Sequence, residues 1–206
     1  MRDEVAEPGT RDRLLEATIA VINESGEAAV RIDAIAAAAR ITKPSIYHFF
    51  GDREGLIIAA QAERLRRALR FGQAEIVERA SECTTKDQYA ELLISGVTLF
   101  ATPEGRERRR TRLEVLGSAA TRPRLKAIVD QVFTDAADDL AVLFDVGRER
   151  GWVTATVSSR ALAIWWYGAL LSRYLAESND AFDDAEWAAI MVDVMPYIAF
   201  GDTRTA

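Results

Sequence analysis

An all-α fold is predicted, with a three-helix N-terminal head on a six-helix C-terminal body, and three observations predict it. The 206 residues hold only 12 glycines and 5 prolines. Apolar residues recur at three- and four-residue intervals, and no sustained period-2 alternation is found. Three short helical segments with tight turns come first, and six longer ones follow.

The first nine residues are polar and loose. Residues 11–25 form the first helix, with Leu15, Ile19 and Ile22 inward and Gly26 as its stop. Residues 33–39 form a second, with Ile32, Ile35 and Ala36 inward. Residues 43–50 form a third, with Thr42 as N-cap and Pro44 in its first turn, where the missing N–H costs little. Asp52 caps a long fourth helix over 53–82. Thr85 and Gln88 have capping-box spacing and open a fifth, which ends near Ala101. Thr102-Pro103 starts a sixth. Pro123 starts a seventh, in which Leu125, Ile128, Val129, Val132, Phe133, Ala136, Leu140, Leu143, Phe144 and Gly147 keep a helical rhythm until Gly151. Residues 159–177 and 183–200 form the last two. Asp183 and Glu186 make another capping box, and Pro196 is expected to kink or shorten the final helix. The domains are thus 10–52 and 53–202, with flexible tails at 1–9 and 203–206.

Composition narrows the function classes. The net charge is −6. Residues 1–60 hold 7 Lys/Arg against 10 Asp/Glu, so any nucleic-acid site must be local rather than a general basic surface. From Arg40 to Gly51 there are two cations, Arg40 and Lys43, and no acid. Cys83 is the single cysteine, which excludes an internal disulfide and suits the cytoplasm, the expected location. The N-terminus lacks the apolar core of a signal peptide. The longest apolar run, residues 161–171, is shorter than the roughly 18 residues a membrane span needs, so it is expected to be a buried helix. No zinc, nucleotide or nucleophile motif is present, and neither a metal, a cofactor nor catalysis is expected.

Residues 33–50 follow the helix-turn-helix plan, whose second helix lies in the major groove. Ile46 and Phe50 face inward. Lys43 with Tyr47, and Pro44 with His48, form outward rows spaced at four. Those rows carry an ammonium, two hydroxyls (Ser45 and Tyr47) and an imidazole. Thr42 and the helix N-terminus are placed to meet phosphate. His48 alone would be structural more often than not; its row favours a DNA contact.

On these residues, 11–56 resemble the DNA-binding domain of TetR-type transcriptional regulators. The resemblance rests on Ile35-Ala36-Ala37, the Ile41-Thr42-Lys43 entry, Tyr47-His48-Phe49-Phe50, and the basic residue within residues 52–56. It implies an all-helical homodimer that binds palindromic double-stranded operator DNA, commonly a repressor released by a small molecule held in the body. Lys43, Pro44 and Ser45 fall where such proteins meet base edges or adjacent backbone. Tyr47, His48 and Arg53 fall where they meet phosphate. Three residues depart from the pattern. Arg40 replaces a turn glycine, Arg31 replaces a Ser or Thr cap, and Glu27 replaces an aromatic. Arg31 and Arg40 are expected to add phosphate contacts.

For the body, the expected dimer stripes are Ile164, Gly168, Leu171 and Leu175, with Trp187, Ile190, Met191, Val194 and Ile198. Together they would form a four-helix bundle between two subunits. Of Trp165, Trp166 and Tyr167, either tryptophan could turn inward. The expected ligand pocket holds Phe71, Val97, Phe100, Leu113, Leu116, Phe133 and Trp165, which suits a hydrophobic effector. Glu114 is either a pocket acid met by an arginine or ligand donor, or a surface residue. The basic run EGRERRRTR, residues 104–112, is expected to be a solvated helix face with a Glu104–Arg108 pair. Two rival readings are a DNA-binding factor with no inducer pocket and a helical acid–base enzyme.

Overall fold

The computed structural model describes residues 9–179 and 183–201; the expected tail residues 1–8 and 203–206 lie outside them. Among the described residues the fold is all-α. The head holds α1 (Thr10–Ser25), a single 3-10 turn at Glu27–Ala29, α2 (Ile32–Ala39) and α3 (Lys43–Phe50). The body holds α4 (Arg53–Arg70), α5 (Gln73–Glu82), α6 (Lys86–Leu99), α7 (Pro103–Ala119), α8 (Pro123–Glu149), α9 (Ser159–Glu177) and α10 (Asp184–Phe200).

One boundary differs from expectation. The helix predicted over 53–82 breaks at Phe71-Gly72, so the described residues of the body form seven α segments. Gly72 sits at φ 70°, and a Cβ there would lie 2.2 Å from Leu99 Cδ2. Only glycine permits both the left-handed turn and this close approach. Elsewhere local chemistry sets the ends. Asp52, Thr102 and Ser158 accept from the backbone N–H three residues on, at 2.6, 3.1 and 3.1 Å. The box at Thr85 is shifted: Thr85 takes the Gln88 N–H, but Gln88 Oε1 reaches the Thr84 N–H. Thr42 makes no side-chain cap and instead lies 3.1 Å from Ser45 Oγ. Helix α10 runs through Pro196 to Phe200 rather than stopping there.

Two apolar cores result. The head core joins Leu14, Leu15, Ile19, Ile22, Ile35 and Ile46 to Leu56 and Ile57 of α4. The body core surrounds α8, which packs against α4, α5, α7 and α9. Helix α4 therefore belongs to both cores, its first turns in the head and its later turns in the body. Each fully buried aliphatic side chain contributes about 1.5–3 kcal/mol, so α4 is anchored at both ends. In α8 the expected inward row holds except at Ile128, which is 40% exposed.

Candidate functional site

Helix α3 is set by its apolar row. Ile46 is fully buried and Phe50 half-buried in the head core, which turns the opposite side to solvent. Lys43, Pro44, Tyr47 and His48 are all exposed there, and Ser45 is half-buried. Phe49, which sequence reasoning placed neither inward nor outward, is 41% exposed and meets His48 edge-on at 5.1 Å. Its row with Ser45, at a spacing of four, was the available signal. Lys43 Nζ pairs with Asp33 at 2.7 Å, and this contact raises the lysine pKa. Both groups are well exposed, so the pair is weak, and a phosphate can compete for the ammonium.

The turn into α3 explains Arg40. It lies at φ 55°, ψ 46°, and is the only non-glycine with positive φ among the described residues. Its N–H bonds Ala37 O, and the Ile41 N–H bonds Ala36 O, closing a Schellman-type end. The side chain is exposed beside α3. Arg31 is also exposed, with its guanidinium 2.6 Å from Ala28 O. Arg53 departs from expectation. Its Nε and Nη2 donate inward to Val30 O and Glu27 O at 2.8 and 2.9 Å, so it ties the α1–α2 connection to α4 instead of reaching outward.

The body contains a cavity of about 380 Å³ between α5, α6 and α9. Its inner wall includes Phe71, Phe100, Leu140, Trp166 and Tyr167, and its rim carries the exposed residues Glu75, Arg79, Thr98 and Thr102. Gly96 admits the Trp166 ring, since a Cβ there would lie 2.8 Å from Trp166 Cζ2. Of the expected pocket residues, Phe71 and Phe100 line this cavity. Val97 does not: neighbours on α6 differ by about 100°, and its side is the core. Leu113 and Leu116 are on α7, away from the wall, and Phe133 stands one layer behind, edge-on to Tyr167 at 6.2 Å. Trp165 gives way to Trp166, which is 3% exposed. Glu114 is exposed and pairs with Arg64 at 2.6 Å and Arg110 at 3.4 Å.

The basic run in α7 is only partly a solvated face. The Glu104–Arg108 pair forms at 3.1 Å, but Arg109 and Arg112 are 0% and 1% exposed. Arg109 is paired with Glu177. Arg112 donates through Nε and Nη2 to Ala68 O at 3.1 and 2.5 Å. Its guanidinium carbon lies 5.1 Å from the Phe100 ring centre and 5.5 Å from that of Tyr167. Burial pulls its pKa down to about 10, which leaves it cationic near neutral pH. The signal missed was spacing: Gly105, Arg109 and Arg112 continue into Val115 and Ala119 as one buried stripe.

On α9 and α10 an apolar stripe remains open. Ile164, Leu175 and Ile190 are 58%, 69% and 60% exposed, with Gly168 exposed among them and Tyr197 beside them. Leu171, Val194 and Trp187 are half-buried. Met191 and Ile198 instead turn into or against the chain's own core.

Comparison with known proteins bears on both parts. Residues 14–60 match the bacterial regulatory proteins of the tetR family. That match covers most of the head and the first turns of α4. Over 60 residues it is 38% identical to the HTH-type transcriptional regulator BetI of Stenotrophomonas maltophilia, a match spanning 29% of this chain and 31% of that relative. Solved structures match the fold over nearly the whole chain. A Rhodococcus sp. chain described as a TetR-family transcriptional regulator superposes with TM-score 0.68 at 17% identity, over 92% of this chain and 98% of that one. A transcriptional-regulator chain from Saccharomonospora viridis in complex with choline gives 0.60 at 18% identity, over 90% and 94%. At such identities the likeness is one of fold.

Proposed function

We propose that this chain is a TetR-type, homodimeric, sequence-specific DNA-binding regulator. It acts as a repressor released from a palindromic operator by a small, largely hydrophobic ligand. The observation that carries the reading is α3: its apolar row is spent in the head core, leaving Lys43, Pro44, Tyr47 and His48 as an exposed polar and aromatic face. Thr42, Ser45, Arg31 and Arg40 flank that face, and phosphate contacts from them would set register. The open stripe of Ile164, Leu175 and Ile190 supports dimerisation through α9 and α10, since isolated exposed apolar side chains are common but aligned ones mark interfaces.

Helix α4 supplies the coupling. Leu56 and Ile57 lie in the head core, and Leu69, near its other end, lines the cavity. A ligand that favours one placement of α4 shifts the head population with it. Two heads must meet half-sites roughly 34–36 Å apart, so a small rotation is enough to weaken binding. The cavity favours this reading over a DNA-binding factor with no effector. Asp138 and Asp139, candidates for an acid–base pair, diverge to Arg160 and Arg70, which disfavours that pair as a catalytic site. No helix among the described residues is long and apolar enough to cross a membrane. A cytoplasmic location fits this role.

The test is binding to the DNA upstream of its own gene, read by fluorescence anisotropy, with wild type and Tyr47→Ala. Saturable binding to one palindrome that weakens on substitution supports the proposal. Equal binding to scrambled DNA overturns it.

A further inference from the structure

The polar groups around the cavity differ in one respect: nearly all are already satisfied. Gln73 donates to Ala136 O at 3.1 Å and accepts from the Tyr167 hydroxyl at 3.0 Å. Ser95 and Thr98 donate to carbonyls one turn back in α6, and Thr102 donates to Leu99 O at the end of that helix. The rim charges are matched as well, Arg79 by Glu75 at 3.8 Å. Arg112 is the exception. Its Nη1 is buried with no hydrogen-bond partner, and among the described residues no carboxylate pairs with it. Arg108 Nε, beside the Phe71 ring at 5.6 Å, is likewise buried without a partner.

Both rings that hold Arg112, Phe100 and Tyr167, are part of the cavity wall. An uncompensated cation therefore lies directly behind the apolar lining, one ring deep. A buried charge without a counter-ion is costly, and an anion brought to that wall relieves the cost in a medium of low dielectric. A cation brought to the same wall meets repulsion instead, although an aromatic lining by itself would suit one. The aromatic faces nearest the cavity's inner end are already engaged by Arg112. For the same reason, the choline held by the Saccharomonospora viridis chain is not a guide to the ligand class here.

We infer that the effector is an amphipathic organic anion, a carboxylate on a hydrophobic body. Its apolar part fills the space between Phe71, Leu140 and Trp166, and its charge lies at the Phe100–Tyr167 end, drawn there by Arg112. This rests on the reading of the cavity as the effector site. For Nη1 to donate to the carboxylate, the Phe100 or the Tyr167 ring must turn aside. Arg112 is also tied to Ala68 O in α4, so an anion that draws the guanidinium loads the helix that carries the head.

The experiment compares decanoate, decanamide and decyltrimethylammonium, which share one chain length and differ in head charge. Each is titrated calorimetrically against the full-length protein near neutral pH. Decanoate is expected to bind at least about tenfold more tightly than decanamide, with the ammonium weakest. Arg112→Gln should bring decanoate level with decanamide without weakening decanamide, whereas Arg112→Lys keeps the preference. Equal or tighter binding of either uncharged or cationic probe to wild type overturns the anion assignment and leaves the cavity as an effector site. A decanoate preference that survives in Arg112→Gln also overturns it. If no probe binds below about 1 mM, the effector-cavity reading itself falls. Should Arg112→Gln fail to fold, the wild-type ranking and Arg112→Lys decide.

Discussion

Arg122 and Glu27 join the body to the head. Arg122 Nη1 donates to Glu27 Oε2 at 2.6 Å, and the same guanidinium reaches Glu54 at 2.6 Å and Ser118 at 2.7 Å. Ser118 and Gln61 both donate to the other oxygen of Glu27. The 3-10 turn of the head, the first turn of α4 and the end of α7 thus share one half-buried polar cluster. Burial pushes the Glu27 pKa up, but Ser118, Gln61 and Arg122 outweigh it, and the net shift is downward.

Glu27→Gln should therefore lower stability by about 1–3 kcal/mol at neutral pH. Because the folded pKa is depressed, the contribution is present in full above the unfolded value of 4.5 and is lost as pH falls through the lower folded value. Urea titrations of both proteins across that range check this. A gap that stays constant into acid would contradict it.

Arg40 occupies a left-handed turn at φ 55°, which costs an arginine roughly 1 kcal/mol against glycine. Arg40→Gly should accordingly raise stability by about that amount while removing a phosphate contact. The slope of log K for operator binding against log salt should then drop by about one contact. Arg40→Ala is the companion variant, with the same loss of slope and no gain in stability. An unchanged slope in both removes Arg40 from the DNA interface.

Arg53 makes the opposite prediction. Its guanidinium bonds Val30 O and Glu27 O, so Arg53→Ala should cost about 1–3 kcal/mol in unfolding free energy. The salt dependence of operator binding by the folded fraction should not change. A reduced slope with unchanged stability would restore it as a phosphate contact.

Ile164, Leu175 and Ile190 lie open on α9 and α10. Replacing Leu175 with Asp places a charge in the proposed subunit interface and should weaken dimerisation by about 2–4 kcal/mol. Sedimentation equilibrium reads this directly, and the monomer's own core should be untouched. Wild-type protein that sediments as a monomer at every concentration refutes the stripe as a dimer face.

Gly72 separates α4 from α5 at positive φ, with Leu99 packed where a Cβ would go. Gly72→Ala should destabilise by about 1–3 kcal/mol and force Leu99 to shift into or away from the cavity. Chemical denaturation measures the first effect. Altered affinity for a cavity ligand measures the second, and no change in either would mean that the break tolerates a side chain.

The sequence by itself determined the head. Its helices are short, their inward rows repeat within a turn or two, and Ile46 and Phe50 together define which side of α3 faces out. The turn at Arg40 was signalled only through the resemblance, whose pattern has a glycine there; the positive φ itself came from the structure. Tertiary structure alone decided the body's site. Trp165 and Trp166 are neighbours with the same chemistry, and only the approach of α6 at Gly96 selects Trp166 for the cavity. Arg109 and Arg112 read as surface cations because composition says nothing of Glu177, Ala68 or the two rings that receive them. Arg53 and Glu27 likewise took their roles from partners far along the chain. Periodicity records which side of a helix is buried, but it carries no information on which distant groups meet there, and a polar site is made by that meeting.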